Sequence, residues 1–135
     1  MTSRMLKRQT IVTNRRDEMI EVTEDVQDFV NEIGIEEGTV LIYCPHTTAG
    51  ITINENADPD VKSDMLRRFD EMFPWNLVKD MHAEGNTAAH MKASTVGTSQ
   101  TVIITKGKLL LGTWQGLYFC EFDGPRNRHF YMKCM

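Results

Sequence analysis

From residue 99 onward the chain is a succession of short strand-length runs: Ser99 to Thr105, Lys108 to Leu111, Gly116 to Phe122 and His129 to Cys134. They are broken by Lys106-Gly107, by the Gly112 to Gln115 stretch and by Gly124-Pro125. Runs rich in Val, Ile, Tyr and Phe between such punctuation read as β-strands. The connections are too short for crossover helices, so these strands must pair largely antiparallel.

The first part of the chain adds helices to that sheet. Gln9 to Thr13 and Glu18 to Val22, separated by the polar NRRD, read as a hairpin. Thr23 is placed to cap a helix whose apolar residues Val26, Phe29, Val30 and Ile33 recur at helical spacing, with Gly34 closing it. Val40 to Cys44 and Gly50 to Asn54 read as strands. Asp58 and Pro59 then form a helix start, cap followed by first-position Pro, and Val61, Met65, Phe69 and Met72 line one face toward the core. Phe73 to Gly85 has no period and reads as a loop, a length at which loops are often functional. Asn86 or Thr87 caps a third helix ending at Gly97. The expectation is one α+β domain over residues 1–135, two packed, largely antiparallel sheets with about three helices outside.

With 135 residues, 41% hydrophobic and 25% charged, the chain suffices for an ordinary core without disulfides or a structural metal. A net charge of −4 speaks against a nucleic-acid scaffold, which needs excess Lys and Arg against phosphates. Cys44, Cys120 and Cys134 are odd in number and show no C-x-x-C spacing, as expected of reduced, buried thiols. The opening MTSRMLKRQT lacks an apolar signal core, and no run approaches the roughly 20 apolar residues of a membrane span. A cytoplasmic protein without membrane contact is expected.

Two segments concentrate side chains that packing alone would not select: HTTAGITINENADPD at 46–60 and LGTWQG at 111–116. His46, His82 and His90 are three of the four histidines and lie at element ends or in the loop. Three imidazoles with an open position are what a catalytic zinc uses, but on spacing alone a histidine is more often a hydrogen-bonded structural residue. His129 belongs with the C-terminal strand. Glu55 and Asn56 stand at a strand end, where an acid can act as general base, cation ligand or partner to a histidine; Asp58 and Asp60 are explained by capping and the helix dipole. Trp114 and Gln115, between Gly112 and Gly116, suit either core packing or ligand stacking. Arg126 and Arg128 sit in a turn that suits a phosphate or carboxylate, or is merely a solvated turn.

Three blocks, HTTAGITINENADPDV, HAEGNTAAHMKAS and SQTVIITKGKLLLGTWQGLYFCEFDGPRNR, together resemble the YjbQ-like family, a group also labelled secondary thiamine-phosphate synthase. The resemblance implies a two-sheet α+β fold and a homotrimer with polar pockets near subunit contacts. It also implies metal binding at His46, His82 and His90, zinc first, with manganese or magnesium as alternatives. Glu55, Asn56, Asp58 and Asp60, and then Trp114, Gln115, Glu121 and Arg126, fall on the family's polar positions. Two functions follow as expectations. One is a metal-dependent enzyme acting on a small phosphorylated substrate, a transferase of thiamine-phosphate synthase type. There Glu55 or Asp60 handles protons, Asn56, Trp114 and Gln115 bind substrate, and Arg126, helped by Arg128 and Lys106, grips phosphate. The other is a non-catalytic trimer in which the same residues hold an ion or ligand without turnover.

Overall fold

The computed structural model describes residues 5–135. Its strands are β1 (Leu6–Val12), β2 (Glu18–Glu21), β3 (Gly38–Tyr43), β4 (Ala49–Glu55), β5 (Ser99–Thr105), β6 (Lys108–Leu109), β7 (Gln115–Glu121) and β8 (Asn127–Cys134). The helices are α1 (Thr23–Ile33), α2 (Pro59–Met72) and α3 (Thr87–Val96). The strands form a five-stranded sheet, order β1-β8-β3-β5-β6, and a three-stranded sheet, order β2-β7-β4. Every pairing is antiparallel.

Strand β7 explains how the layers stack. Successive side chains of a strand point to opposite faces. Leu117 and Phe119 enter the core shared with Val40, Ile42, Phe130 and Met132 of the five-stranded sheet, where α1 adds Val26, Phe29 and Val30. Tyr118 and Cys120 turn the other way and pack with Met19, Ala89 and Ala93 against Met65, Leu66 and Phe69 of α2. Both faces of β7 are therefore buried, and α2 and α3 cover the outer side of the smaller sheet.

Three local expectations are corrected. The first two strands do not form a hairpin: β1 pairs with β8 and β2 with β7, in different sheets. Between them Arg16 bonds Asp70 of α2, and Thr13 N–H donates to Arg126 O at 2.9 Å, so the polar connector steps from one sheet to the other. Thr23 is not the cap of α1; as its first residue, its hydroxyl donates to Glu21 at 2.8 Å and accepts from Leu117 N–H at 2.9 Å. On α2 the apolar face is only half covered, with Met65 and Phe69 packed and Met72 exposed. Asp58 does cap this helix, accepting from Asp60 N–H at 2.9 Å.

Candidate functional site

His46 lies in the short link between β3 and β4. Phe122 N–H donates to Thr48 O at 3.1 Å and Cys44 N–H to Thr98 O at 2.8 Å, which pins this link to β7 and to the end of α3. The His46 Nε2 sits 2.9 Å from His129 O and 3.1 Å from His129 N, and the two rings meet edge to face at 4.9 Å. Burial pushes the His46 imidazole below its ordinary value, and the nearby Arg128 charge pushes it the same way. The ring is thus neutral at pH 7, with one nitrogen free of a proton.

Under this link lies a buried ion pair that joins the two sheets. Glu121 of β7 receives Arg128 Nε at 2.8 Å, and a second guanidinium nitrogen closes a two-pronged contact. Thr13 Oγ1 donates to Glu121 at 2.7 Å, Asp123 N–H donates to it at 2.9 Å, and Arg128 also donates to Thr48 Oγ1 at 2.8 Å. Burial alone would raise the Glu121 carboxyl, but Arg128, the Asp123 amide and the Thr13 hydroxyl hold it below the usual carboxylate range. Gly124 allows this closeness, because a Cβ there would press on Arg15 O, Glu121 Cγ and Thr13 Oγ1. Arg128 is buried and held to Glu121 and Thr48 through Nε and Nη2, so it braces the two sheets while still forming part of the cavity wall.

Above the pair opens a cavity of about 380 Å³ whose wall includes His46, His82, Glu84, Asn86, His90, Asp123 and Arg126. His82, from the loop before α3, meets His90, in the second turn of α3, edge to face at 5.5 Å. Arg126 is held by Asp123, through Nε to its carbonyl at 2.7 Å and Nη2 to its carboxylate at 2.8 Å. Its Nη1 has no partner among the described residues. Asn86 stands at the N-cap position of α3, but its side chain makes no capping bond: its amide donates to Asp123 Oδ2 at 2.8 Å, and its buried Oδ1 has no partner among the described residues.

The second predicted cluster stands elsewhere. Ala49 of β4 pairs with Glu121 and Glu55 with Gln115, so Glu55 lies six residue steps, about 20 Å, from the histidine end. There Glu55 Oε2 accepts from Asp58 N–H at 3.2 Å, and Asn56 donates to Glu21 Oε2 at 3.0 Å. Gln115 Oε1 accepts from Gly112 N–H at 2.8 Å, while Trp114 is 62% exposed. Asp60 is exposed at the start of α2. Lys106 also lies away from the histidines, in the β5–β6 turn, with its N–H on Glu37 at 3.1 Å. Within one chain, Glu55, Asn56, Asp60, Trp114, Gln115 and Lys106 do not reach the cavity that holds His46, His82, His90 and Arg126. Around them Asp58 caps α2, with Glu55 holding the Asp58 amide, while Gln115 and Lys106 close turns.

The donor chemistry of the cavity suits a borderline metal such as zinc. Among the described residues, however, no three His, Cys, Asp or Glu side chains stand so as to hold one ion. His82 and His90 adjoin, whereas His46 directs Nε2 at the His129 backbone. The thiols offer no alternative nucleophile: burial raises Cys44 to about 11 and Cys120 to about 12.

Lys92, two residues beyond His90, escaped the sequence reading. It is 0% exposed, with Nζ 2.9 Å from Asp17 and 2.5 Å from Asp70. Arg16 binds the same two carboxylates and lies 4.6 Å over the Trp75 ring. This network locks α3 to α2 and to the start of the loop that carries His82. The signal was available, since Lys92 falls three and four residues after the buried Ala89 and Ala88, on the inward face of the helix.

A family model described as UPF0047 protein YjbQ-like matches residues 7–135. The chain belongs to the YjbQ-like family. UPF0047 protein YugU of Bacillus subtilis is 68% identical over 131 residues, covering 97% of this chain and 99% of the relative. UPF0047 protein MJ1081 of Methanocaldococcus jannaschii is 52% identical over 132 residues, covering 96% and 94%. A crystal structure of a yjbq/upf0047 family protein from Clostridium acetobutylicum superposes with a TM-score of 0.93 at 50% identity, covering 96% of this chain and 99% of that one. The YjbQ-like fold with two antiparallel sheets is thereby shown. The names of these relatives assign no reaction. No helix among the described residues is long and apolar enough to cross a membrane.

Proposed function

We propose that the cavity at the histidine end is an active site for a small phosphorylated molecule. The observation that carries this reading is the convergence of His46, His82, His90 and Arg126, from four separate segments, on one 380 Å³ cavity. Arg126 is held in place by Asp123 and keeps Nη1 for an incoming anion, which a guanidinium binds through paired N–H donors. His46, neutral at pH 7, is suited to take a proton. A divalent cation, zinc first and manganese or magnesium next, would rest on His82 and His90. When bound there it would polarise a phosphate oxygen.

The finer proposal is a transferase of thiamine-phosphate synthase type, in which Arg126 holds the departing diphosphate. Glu55 and Asp60 are given no proton-transfer role within the same chain, since they lie at the other end of β4. The exposed Leu77, Val78 and Met81 of the loop suit coverage by a neighbouring copy, in keeping with the homotrimer that the family resemblance implies.

The test is metal content by mass spectrometry on untagged protein purified without chelator, together with turnover of a panel of phosphate esters and diphosphates. Near-stoichiometric metal and turnover, both lost in His82→Ala and His90→Ala, support the full reading. Unchanged turnover in a metal-free His82→Ala variant removes the cation. Tight phosphate binding without turnover of any panel member favours the non-catalytic binding protein.

A further inference from the structure

We propose that the phosphate cavity continues into a second, uncharged subsite, and that the ligand is therefore a phosphate ester of a neutral, hydroxyl-bearing body of about sugar size. This deepens the preceding reading and rests on it. A cavity of about 500 Å³ adjoins the first and shares His46, Thr47 and His90 with it. A molecule anchored by Arg126 and passing these shared residues enters the second space directly.

The two cavities differ in chemistry. The first carries Glu84, Asp123, Arg126 and Arg128 on its wall. Apart from the shared imidazoles, the second has no ionisable side chain on its wall, which is completed by Ala93, Ser94, Gly97 and Thr98. Thr47, Ser94 and Thr98 present three hydroxyls with no hydrogen bond to another described residue. Exposed hydroxyls elsewhere, such as those of Ser63 and Thr101, are likewise without a bond to another described residue; what sets these three apart is that they line one cavity. A hydroxyl both donates and accepts, so a row of them matches the hydroxyls of a polyol and offers nothing to a second charge. The small Ala93 and Gly97 leave room for that body between the hydroxyls.

Calorimetric titration of the full chain with inorganic phosphate, ethyl phosphate and ribose 5-phosphate tests the inference. The expected result is that ribose 5-phosphate binds at least tenfold more tightly than ethyl phosphate. Ser94→Trp, at an exposed helix position, should fill the second cavity and abolish that preference while leaving inorganic phosphate within twofold. Thr98→Val, which keeps the shape and removes one hydroxyl, should reduce the preference about threefold. Equal affinity for the two esters, or a preference that survives both variants, overturns the second subsite and leaves the phosphate reading intact. Failure of all three ligands to bind overturns both.

Discussion

The two ends of the β4–β7 ribbon carry polar residues at similar density, yet they do different work. At the Glu55–Gln115 end the side chains make exposed, mostly short-range bonds: Asp58 caps α2, Glu55 holds the Asp58 amide, Gln115 closes on Gly112, and Asn56 ties to Glu21. At the Ala49–Glu121 end they answer one another across the fold. Glu121, Arg128, Thr13 and Thr48 come from four segments and bury a charge pair beneath the cavity that His46, His82 and His90 share. The lesson is that crowding of polar residues along a sequence does not mark a site. Burial is the better sign: the Glu121–Arg128 pair is shut away from water, whereas the Asn56–Glu21 contact, though it spans 35 residues, is exposed.

The comparison breaks most directly at the buried pair. Glu121→Ala strands the Arg128 guanidinium without its partner, and chemical denaturation should show a loss of about 3–5 kcal/mol. A loss below 1 kcal/mol would mean that this end is as solvated as the other. For ligand binding, Arg126→Ala should weaken inorganic phosphate about tenfold by calorimetry, as loss of a charge-assisted contact predicts. Trp114→Ala should change it less than twofold. Equal losses in both variants would show that the two ends meet across neighbouring copies of the chain.

At the capping end the effect is smaller and purely structural. Asp58→Ala should cost about 1 kcal/mol of stability through the lost cap on α2 and leave phosphate affinity unchanged. The smallest expected effect is a pH dependence at His46. Its imidazole titrates below the ordinary 6.5 in the folded state, so the unfolded chain binds the proton more readily. Stability from this group is complete above pH 6.5 and falls as pH drops through the lower folded value. Melting temperatures of wild type and His46→Gln, followed from pH 7.5 to 5, should diverge toward acid, with the wild type losing more.

Much of the fold was legible because the signals are local. Asp58 and Pro59 start α2, Gly34 closes α1 in the left-handed region, and Ser99–Thr105 forms the strand its composition announces. The hairpin expected for the first two strands failed because a turn shows where the chain bends and not which edge each strand finds. Lys92 could have been placed inward from helical spacing, but its partners Asp17 and Asp70 could not have been named.

For the site, the family blocks pointed to the histidines and Arg126 by residue, and these four do line one cavity. The same blocks also pointed to Glu55, Asn56, Asp60, Trp114 and Gln115, which antiparallel pairing carries to the other end of the ribbon. The sequence by itself determined the elements, the Asp58 cap of α2, the Gly34 end of α1 and the inert character of the buried thiols, because those depend on spacing over a few residues and on side-chain polarity. Only the tertiary structure decided that β1 leaves β2 for β8, that Arg128 turns inward to Glu121, and that the Asn86 side chain, at the N-cap position of α3, reaches Asp123. Those outcomes depend on contacts between residues far apart in the chain, which become definite only when the sheets stack and the core excludes water.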